Sequence, residues 1–227
     1  MDATGASQSW PCGIYFGTRL IRKKRVVPNA VRSYNRDSLS KAFSMLAPIT
    51  YRPKFISSPD AAFTTLWNEL DWVRHGVVPR REYYSNDTDA PYSYGKAEFA
   101  RVYPTQPWHP LMRDIQRKVE VELGACMEVC FLNGYEHNRD QLGWHADDSP
   151  EMDDARPIAI VTLGSERDIM FATKPERENV ERLKLQHGSL CVMSAGMQDT
   201  HVHRIPKADR VVGPRISLTF RGYFPTA

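Results

Sequence analysis

Two stretches of the chain carry apolar residues at helical spacing. The first begins at Ser58-Pro59-Asp60, because Ser is a good N-cap, Pro fits the first turn and Asp lies near the positive end of the helix dipole. Its apolar stripe consists of Phe63, Leu66, Trp67 and Leu70. The second stretch runs from Pro110 to Gly124. Its stripe consists of Leu111, Ile115, Val119 and Leu123. Each stretch predicts an amphipathic helix that packs on a core.

Beyond Gly124 the period of the pattern changes to two. Met127, Val129 and Phe131 alternate with their neighbours, as in a β-strand. Further strands are predicted at residues 158–163, 168–173, 189–193, 200–203 and 215–220, separated by turns that contain Gly, Pro, Asn or Asp. Two helices followed by many short strands favour a mainly β fold with supporting helices, α+β overall, built around a barrel or jelly roll.

The last predicted strand has two unlike faces. One is apolar, whereas the other carries Arg215 and Arg221 together with Ser217 and Thr219. Buried arginines need partners, so we expect the apolar face to meet helices or a second sheet and the charged face to meet an anion or carboxylates. The pattern alone also allows an edge strand with one face in water.

The net charge of +3 over 227 residues is unevenly distributed. Residues 1–47 hold eight Lys and Arg against two Asp, a net of +6, and the remainder is slightly acidic. We therefore predict a basic N-terminal extension at residues 1–47 and a globular domain at residues 48–227. The cluster Arg22-Lys23-Lys24-Arg25 is typical of a phosphate contact or a nuclear address, and equally of a solvated, mobile terminus.

The cysteines and the hydropathy pattern bear on the compartment. Cys126 and Cys130 lie in an apolar alternating run, so we expect buried free thiols there and not a zinc half-site. We see no secretory signal and no apolar run long enough to span a membrane. These features favour an intracellular protein in a reducing setting with no membrane partner.

A candidate metal site begins at His145 and Asp147. Residues two apart in extended chain point to the same face, so one strand end can aim both side chains at a common point. A third ligand is needed, and His201 and His203 are the best downstream donors. Two His and one carboxylate leave coordination positions open, which suits non-haem Fe(II) and also zinc. Arg215 favours iron, because an oxygenase that chelates 2-oxoglutarate needs a cation for the far carboxylate. The alternative is a hydrogen-bonded core histidine.

Four motifs in this order resemble the AlkB family of Fe(II)/2-oxoglutarate dioxygenases. They are Asn133-Gly134-Tyr135, Gly143-Trp144-His145-Ala146-Asp147-Asp148, His203-Arg204-Ile205-Pro206-Lys207 and Arg215-Ile216-Ser217-Leu218-Thr219-Phe220-Arg221. The match runs over roughly residues 48–224 and includes Pro79-Arg80 near its start.

The resemblance implies a double-stranded β-helix, or jelly-roll, core that uses Fe(II), 2-oxoglutarate and dioxygen. His145, Asp147 and His203 would bind the iron and form the catalytic centre, with His203 favoured over His201. Five residues would form the co-substrate site, namely Asn133, Tyr135, Arg215, Ser217 and Arg221. Three would contact the substrate, namely Tyr94, which would stack on the base, Arg80 and Asp148. Ser149 stands where the family's dealkylating branch usually has an acidic residue.

The resemblance also implies an activity. The protein would be an oxidative demethylase that removes N-alkyl lesions from DNA bases, and from RNA as a second substrate, with release of formaldehyde and succinate. Such a DNA-repair enzyme would act as a monomer on a base flipped out of alkylated nucleic acid, in the cytoplasm of a bacterium or the nucleus of a eukaryote. Two alternatives stay open, an oxygenase of the same scaffold with a non-nucleic-acid substrate and a non-catalytic nucleic-acid-binding module.

Overall fold

The computed structural model describes residues 47–76, 78–88, 91–94 and 101–224, with the backbone alone at positions 93 and 94. The described helices are α1 (Pro59–Glu69), α2 (Pro110–Leu123) and α3 (Met197–Thr200). The described strands are β1 (Ile49–Arg52), β2 (Arg81–Asn86), β3 (Tyr92–Tyr94), β4 (Arg101–Tyr103), β5 (Val129–Tyr135), β6 (Leu142–His145), β7 (Ile158–Gly164), β8 (Arg167–Thr173), β9 (Glu178–Leu185), β10 (Leu190–Met193), β11 (His201–Ile205) and β12 (Arg215–Arg221). The predicted N-terminal extension falls outside the described residues except for its last residue, Ala47, and it stays a prediction.

The strands form two main antiparallel sheets and one hairpin. The larger sheet has the order β1-β10-β7-β12-β5-β2, and the smaller has the order β6-β11-β8-β9. Strands β3 and β4 pair with each other. This arrangement confirms the predicted mainly β fold with supporting helices, and two such sheets are the framework of a jelly roll.

Both predicted helices are confirmed. Helix α1 begins at Pro59, and α2 ends at Gly124, which adopts the left-handed conformation and donates its N–H to the Glu120 carbonyl at 2.8 Å. Leu66 of α1, Val119 of α2 and Leu218 of β12 belong to the same buried cluster. The apolar face of β12 therefore packs against the helices, and its polar face is left for the interior between the sheets.

Several strands escaped prediction because their patterns are not those of a half-buried strand. Strand β9 is an exposed edge strand with five polar residues in eight, and charged edges protect a sheet from further pairing. Strand β2 is the opposite case, since five consecutive residues are buried and both faces are covered. Strand β5 was predicted from its alternating pattern, but it is also buried along its whole length, so its polar Asn133 faces the protein interior.

The expectation for the cysteines is half right. Cys130 is a buried free thiol, as is Cys191, but Cys126 is disulfide-bonded. Cys126 precedes the first residue of β5, so it lies in a partly exposed loop and not in the buried alternating strand. Among the helices within the described ranges, none has the length and apolar character needed to cross a bilayer.

Candidate metal centre

Three of the predicted residues converge on one point between the sheets. His145 ends β6, Asp147 follows it, and His203 lies directly opposite His145 in the antiparallel pairing of β11 with β6. The His145 Nε2 lies 3.7 Å from Asp147 Oδ1, and the His203 Nε2 lies 3.8 Å from Asp147 Oδ2. The three potential ligand atoms lie within 4.8 Å of one another. His201 is outside this cluster, and its Nδ1 hydrogen-bonds with the Thr200 hydroxyl at 2.8 Å.

The electrostatics of the cluster favour the protonation states that a metal requires. Burial lowers the pKa of His203 to about 3 and also lowers the pKa of His145, so both imidazoles are neutral. Burial, the largest single effect, would raise the pKa of Asp147, but the charge of Arg221, the two neighbouring histidines and the hydrogen bond from Arg221 together hold this pKa well below its ordinary value. The His145 Nδ1 donates to the Gly143 carbonyl at 2.9 Å, which leaves Nε2 as the free donor atom.

The two oxygens of Asp147 have different surroundings. Oδ1 accepts a hydrogen bond from Arg221 Nη2 at 2.8 Å, whereas the buried Oδ2 has no hydrogen-bond partner among the described residues. The Asp147 backbone N–H donates to Gln198 Oε1 at 2.9 Å. A carboxylate held this rigidly beside two neutral imidazoles fits the two-His, one-carboxylate set that binds Fe(II).

A second charged group lies on the same strand as Arg221. Arg215 has no exposed surface, and its Nη2 donates to the hydroxyls of Thr162 at 3.0 Å and Ser217 at 3.4 Å. Its Nε and Nη1 have no hydrogen-bond partner within the described ranges. The guanidinium lies 5.1 Å from the ring centre of Tyr135, and burial lowers its pKa to about 10. A buried cation whose polar neighbours are hydroxyls fits the carboxylate of a ligand.

The opening beside the metal centre is lined by polar and aromatic groups. Asn133 Oδ1 accepts from Arg80 Nε at 2.5 Å, and Arg80 Nη2 pairs with Glu82 at 2.7 Å. Apolar and aromatic side chains complete the lining, namely Tyr92, Tyr103, Phe131 and Leu142. Arg80 and Asn133 thus share one cavity with His145, Asp147 and Arg221.

Two of the predicted substrate residues, Asp148 and Tyr94, are not among the described side chains that line this cavity. Asp148 is exposed, and its carboxylate lies 3.3 Å from Lys174 Nζ. The side chain of Tyr94 falls outside the described part of the chain. Both substrate contacts stay predictions.

Sequence reasoning missed four residues that support the site. Thr162 and Gln198 hold Arg215 and Asp147, Glu82 holds Arg80, and Tyr92 lines the cavity. Thr162 is brought to the site by the pairing of β12 with β7, where it lies opposite Ser217. Only the pairing register of strands that are distant in sequence would have indicated that Thr162 belongs to the site. Tyr92 carried a usable signal, because it lies two residues before Tyr94 in the same aromatic segment.

The fold and the donor set together fit the class of jelly-roll, non-haem iron dioxygenases. Residues 51–221 match the sequence model of the 2OG-Fe(II) oxygenase superfamily. The human alpha-ketoglutarate-dependent dioxygenase alkB homolog 3 is 32% identical over 170 residues, which cover 70% of this chain and 58% of the relative. The bovine DNA oxidative demethylase ALKBH2 is 31% identical over 156 residues, which cover 66% of this chain and 55% of the relative.

The solved structure of OsALKBH1 shares the fold, with a TM-score of 0.55 over 77% of this chain and 98% of the other, at 14% identity. The chain belongs to the 2OG-Fe(II) oxygenase superfamily, and it is similar to the two curated relatives named as AlkB homologues. It spans little more than half the length of the two curated relatives. Membership confirms the predicted class, an Fe(II)/2-oxoglutarate-dependent dioxygenase, and its use of Fe(II), 2-oxoglutarate and dioxygen.

The two histidines of β11 provide a test of the metal ligands. We expect His203→Ala to weaken Mn(II) binding by more than the roughly 10–100-fold that loss of an outer partner costs, because a direct ligand is removed. His201→Ala is the matched control and should bind Mn(II) like the parent protein, since its side chain faces Thr200. Anaerobic titration calorimetry measures both affinities. Equal losses of Mn(II) affinity in the two variants would contradict the assignment of His203 as the third metal ligand.

Proposed function

We propose that this protein is an oxidative demethylase that removes N-alkyl groups from nucleic-acid bases. The observation that carries the proposal is the pairing of the His145, Asp147 and His203 cluster with the buried cation Arg215, beside a cavity lined by aromatic rings. Relatives named DNA oxidative demethylase support a nucleic-acid substrate. We further propose that the protein acts inside the cell and as a monomer.

The proposed roles follow from the contacts. Fe(II) with 2-oxoglutarate and dioxygen would supply the oxidation that hydroxylates the N-methyl group, whose loss as formaldehyde restores the base. Arg215 would bind the far carboxylate of 2-oxoglutarate, with Tyr135 and Ser217 against the same guanidinium. Asn133 would hydrogen-bond the co-substrate from the neighbouring strand β5. Because these groups are buried, they would exclude water from the reacting atoms.

The substrate side of the cavity is suited to a planar ring. Tyr92, Tyr103 and Phe131 supply aromatic surface beside His145, and Arg80 lines the same cavity as an ion pair with Glu82. A base flipped from a duplex can be held by stacking, which is worth about 1–3 kcal/mol per base. Methylation at the pairing edge weakens the base pair, so a damaged base costs less to extrude. Tyr94 belongs to strand β3 with Tyr92, and it keeps its proposed stacking role.

A basic pocket on the smaller sheet supports a polyanionic substrate. Arg204 of β11 lies beside the inward-facing His203, and its guanidinium lies 4.6 Å from the Trp144 ring centre. The pocket contains six cationic side chains, namely Arg167, Arg182, Lys184, Arg204, Lys207 and Arg210. It contains three acidic ones, namely Glu166, Asp168 and Asp209. Among the described residues, Lys207 and Arg210 form no ion pair with a carboxylate. We propose that their charges contact phosphates of the nucleic acid.

The direct test is a panel of oligonucleotides with single N-methylated bases. With Fe(II) and 2-oxoglutarate, we expect mass spectrometry to show loss of one methyl group from at least one oligonucleotide, because a base stacked on the aromatic lining would present its methyl group to the metal centre. His145→Ala should lose this activity and keep the parent melting temperature. If 2-oxoglutarate is consumed with another class of substrate and no oligonucleotide loses a methyl group, the nucleic-acid assignment is wrong.

The basic pocket predicts a change in salt dependence. Lys207→Ala/Arg210→Ala should reduce the slope of log affinity for DNA against log salt by about 1–2, because two phosphate contacts are lost. Arg117→Ala/Lys118→Ala on α2 removes the same number of exposed charges and should leave the slope unchanged. Fluorescence anisotropy over a series of salt concentrations measures the slopes. An identical slope in both double variants would show that the pocket does not contact DNA.

A further inference from the structure

A row of buried polar side chains crosses the larger sheet beside the metal centre. Glu82 of β2 lies opposite Asn133 of β5, Asn133 lies opposite Ser217 of β12, and Ser217 lies opposite Thr162 of β7. Directly paired residues share a face of the sheet. All four are at most 6% exposed. Three of them hold Arg215 or belong to the proposed co-substrate site, which leaves the carboxylate of Glu82 to be explained.

Arg80 connects Glu82 to Asn133. Its Nε donates to Asn133 Oδ1 at 2.5 Å, and its Nη2 donates to Glu82 Oε1 at 2.7 Å. The side chain of Arg80 is 11% exposed and that of Glu82 is 1% exposed. The guanidinium therefore bridges two neighbours of the polar row, with one hydrogen bond to each.

The contact from Arg80 determines which way the Asn133 amide faces. A guanidinium carries only donors, so the amide must present its oxygen to Arg80. The Nδ2 group then keeps its two N–H donors for other partners in the cavity that Asn133 shares with His145 and Asp147. A reversed amide would set donor against donor at Arg80 and would offer an acceptor to the cavity. An anionic co-substrate needs a hydrogen-bond donor, which is the Nδ2 group of Asn133 in the orientation that Arg80 imposes.

Stability alone is a poor explanation for a carboxylate at position 82. A buried ion pair contributes little compared with apolar side chains of similar size, because both charges lose their hydration. Here Glu82 Oε2 also lacks a hydrogen-bond partner among the described residues. The neighbouring Arg81 pairs with the partly exposed Glu136, so strand β2 carries one ion pair in the interior and one near solvent.

We propose that Glu82 is a positioning residue for the co-substrate. Its carboxylate holds the Arg80 guanidinium against Asn133, and Arg80 in turn holds the Asn133 amide with its donors toward 2-oxoglutarate. The proposal rests on the proposed co-substrate role of Asn133, but it does not require that the substrate be a nucleic acid.

The test is a double-mutant cycle on 2-oxoglutarate binding to the Mn(II)-loaded protein, measured by anaerobic calorimetry. Glu82→Gln keeps the size of the side chain and removes the charge that holds Arg80. We expect it to weaken 2-oxoglutarate binding about tenfold, the effect of one lost charge-assisted hydrogen bond, while Mn(II) affinity is unchanged. Asn133→Ala should weaken binding at least as much. If Glu82 acts through Asn133, adding Glu82→Gln to Asn133→Ala should have no further effect.

The matched control is Glu136→Gln, which removes the carboxylate from Arg81 near solvent and should leave 2-oxoglutarate affinity unchanged. Three outcomes would overturn the proposal: parent-like 2-oxoglutarate affinity in Glu82→Gln, additive losses in the double variant, or parent-like affinity in Asn133→Ala. Because no oligonucleotide is present, failure of the demethylase assignment would leave this result standing. A merely structural role of Glu82 would lower the melting temperature and give additive losses.

Discussion

Burial of two guanidinium groups on the inner face of β12 constrains the groups around them. Removing a charge from water costs several kcal/mol unless the group finds partners. Arg221 meets Asp147 at 2.8 Å, whereas Arg215 meets two hydroxyls and the ring of Tyr135. The carboxylate that neutralises Arg221 is also the one that faces both histidines. Strand β12 therefore orders the proposed metal ligands, and its Arg215 is the proposed binding point for a ligand carboxylate.

The charges explain why this interior suits an anionic co-substrate. Both imidazoles are neutral and Asp147 is ionised, so two arginines face one carboxylate. A divalent metal at His145, Asp147 and His203 would make the interior more positive still. A dianion that chelates the metal at one end and reaches Arg215 at the other offsets this excess. The Arg80–Glu82 pair adds no net charge, which is consistent with an orienting role at Asn133.

Local patterns were sufficient to predict the helices and much of the site. The stripes of α1 and α2 and the two-faced β12 depend on residues close in sequence, as does the spacing of His145 and Asp147. Glu82, Thr162 and Gln198 could not be found in this way, because each reaches the site through strand pairing or a contact more than fifty residues away. Strand β9 was missed since an exposed edge lacks an apolar period, and Cys126 was misjudged because the strand begins after it.

We propose that Arg215 binds the far carboxylate of 2-oxoglutarate next to the metal, and the rest of the site depends on this contact. The most direct measurement compares 2-oxoglutarate with 2-oxopentanoate, which has a methyl group in place of that carboxylate, by anaerobic calorimetry on the Mn(II)-loaded protein. We expect the dicarboxylate to bind roughly 10–100-fold more tightly, as for a hydrogen-bonded charge, and Arg215→Met to abolish the difference. Equal affinities in the parent protein, or an unchanged ratio in Arg215→Met, would show that Arg215 does not bind this carboxylate.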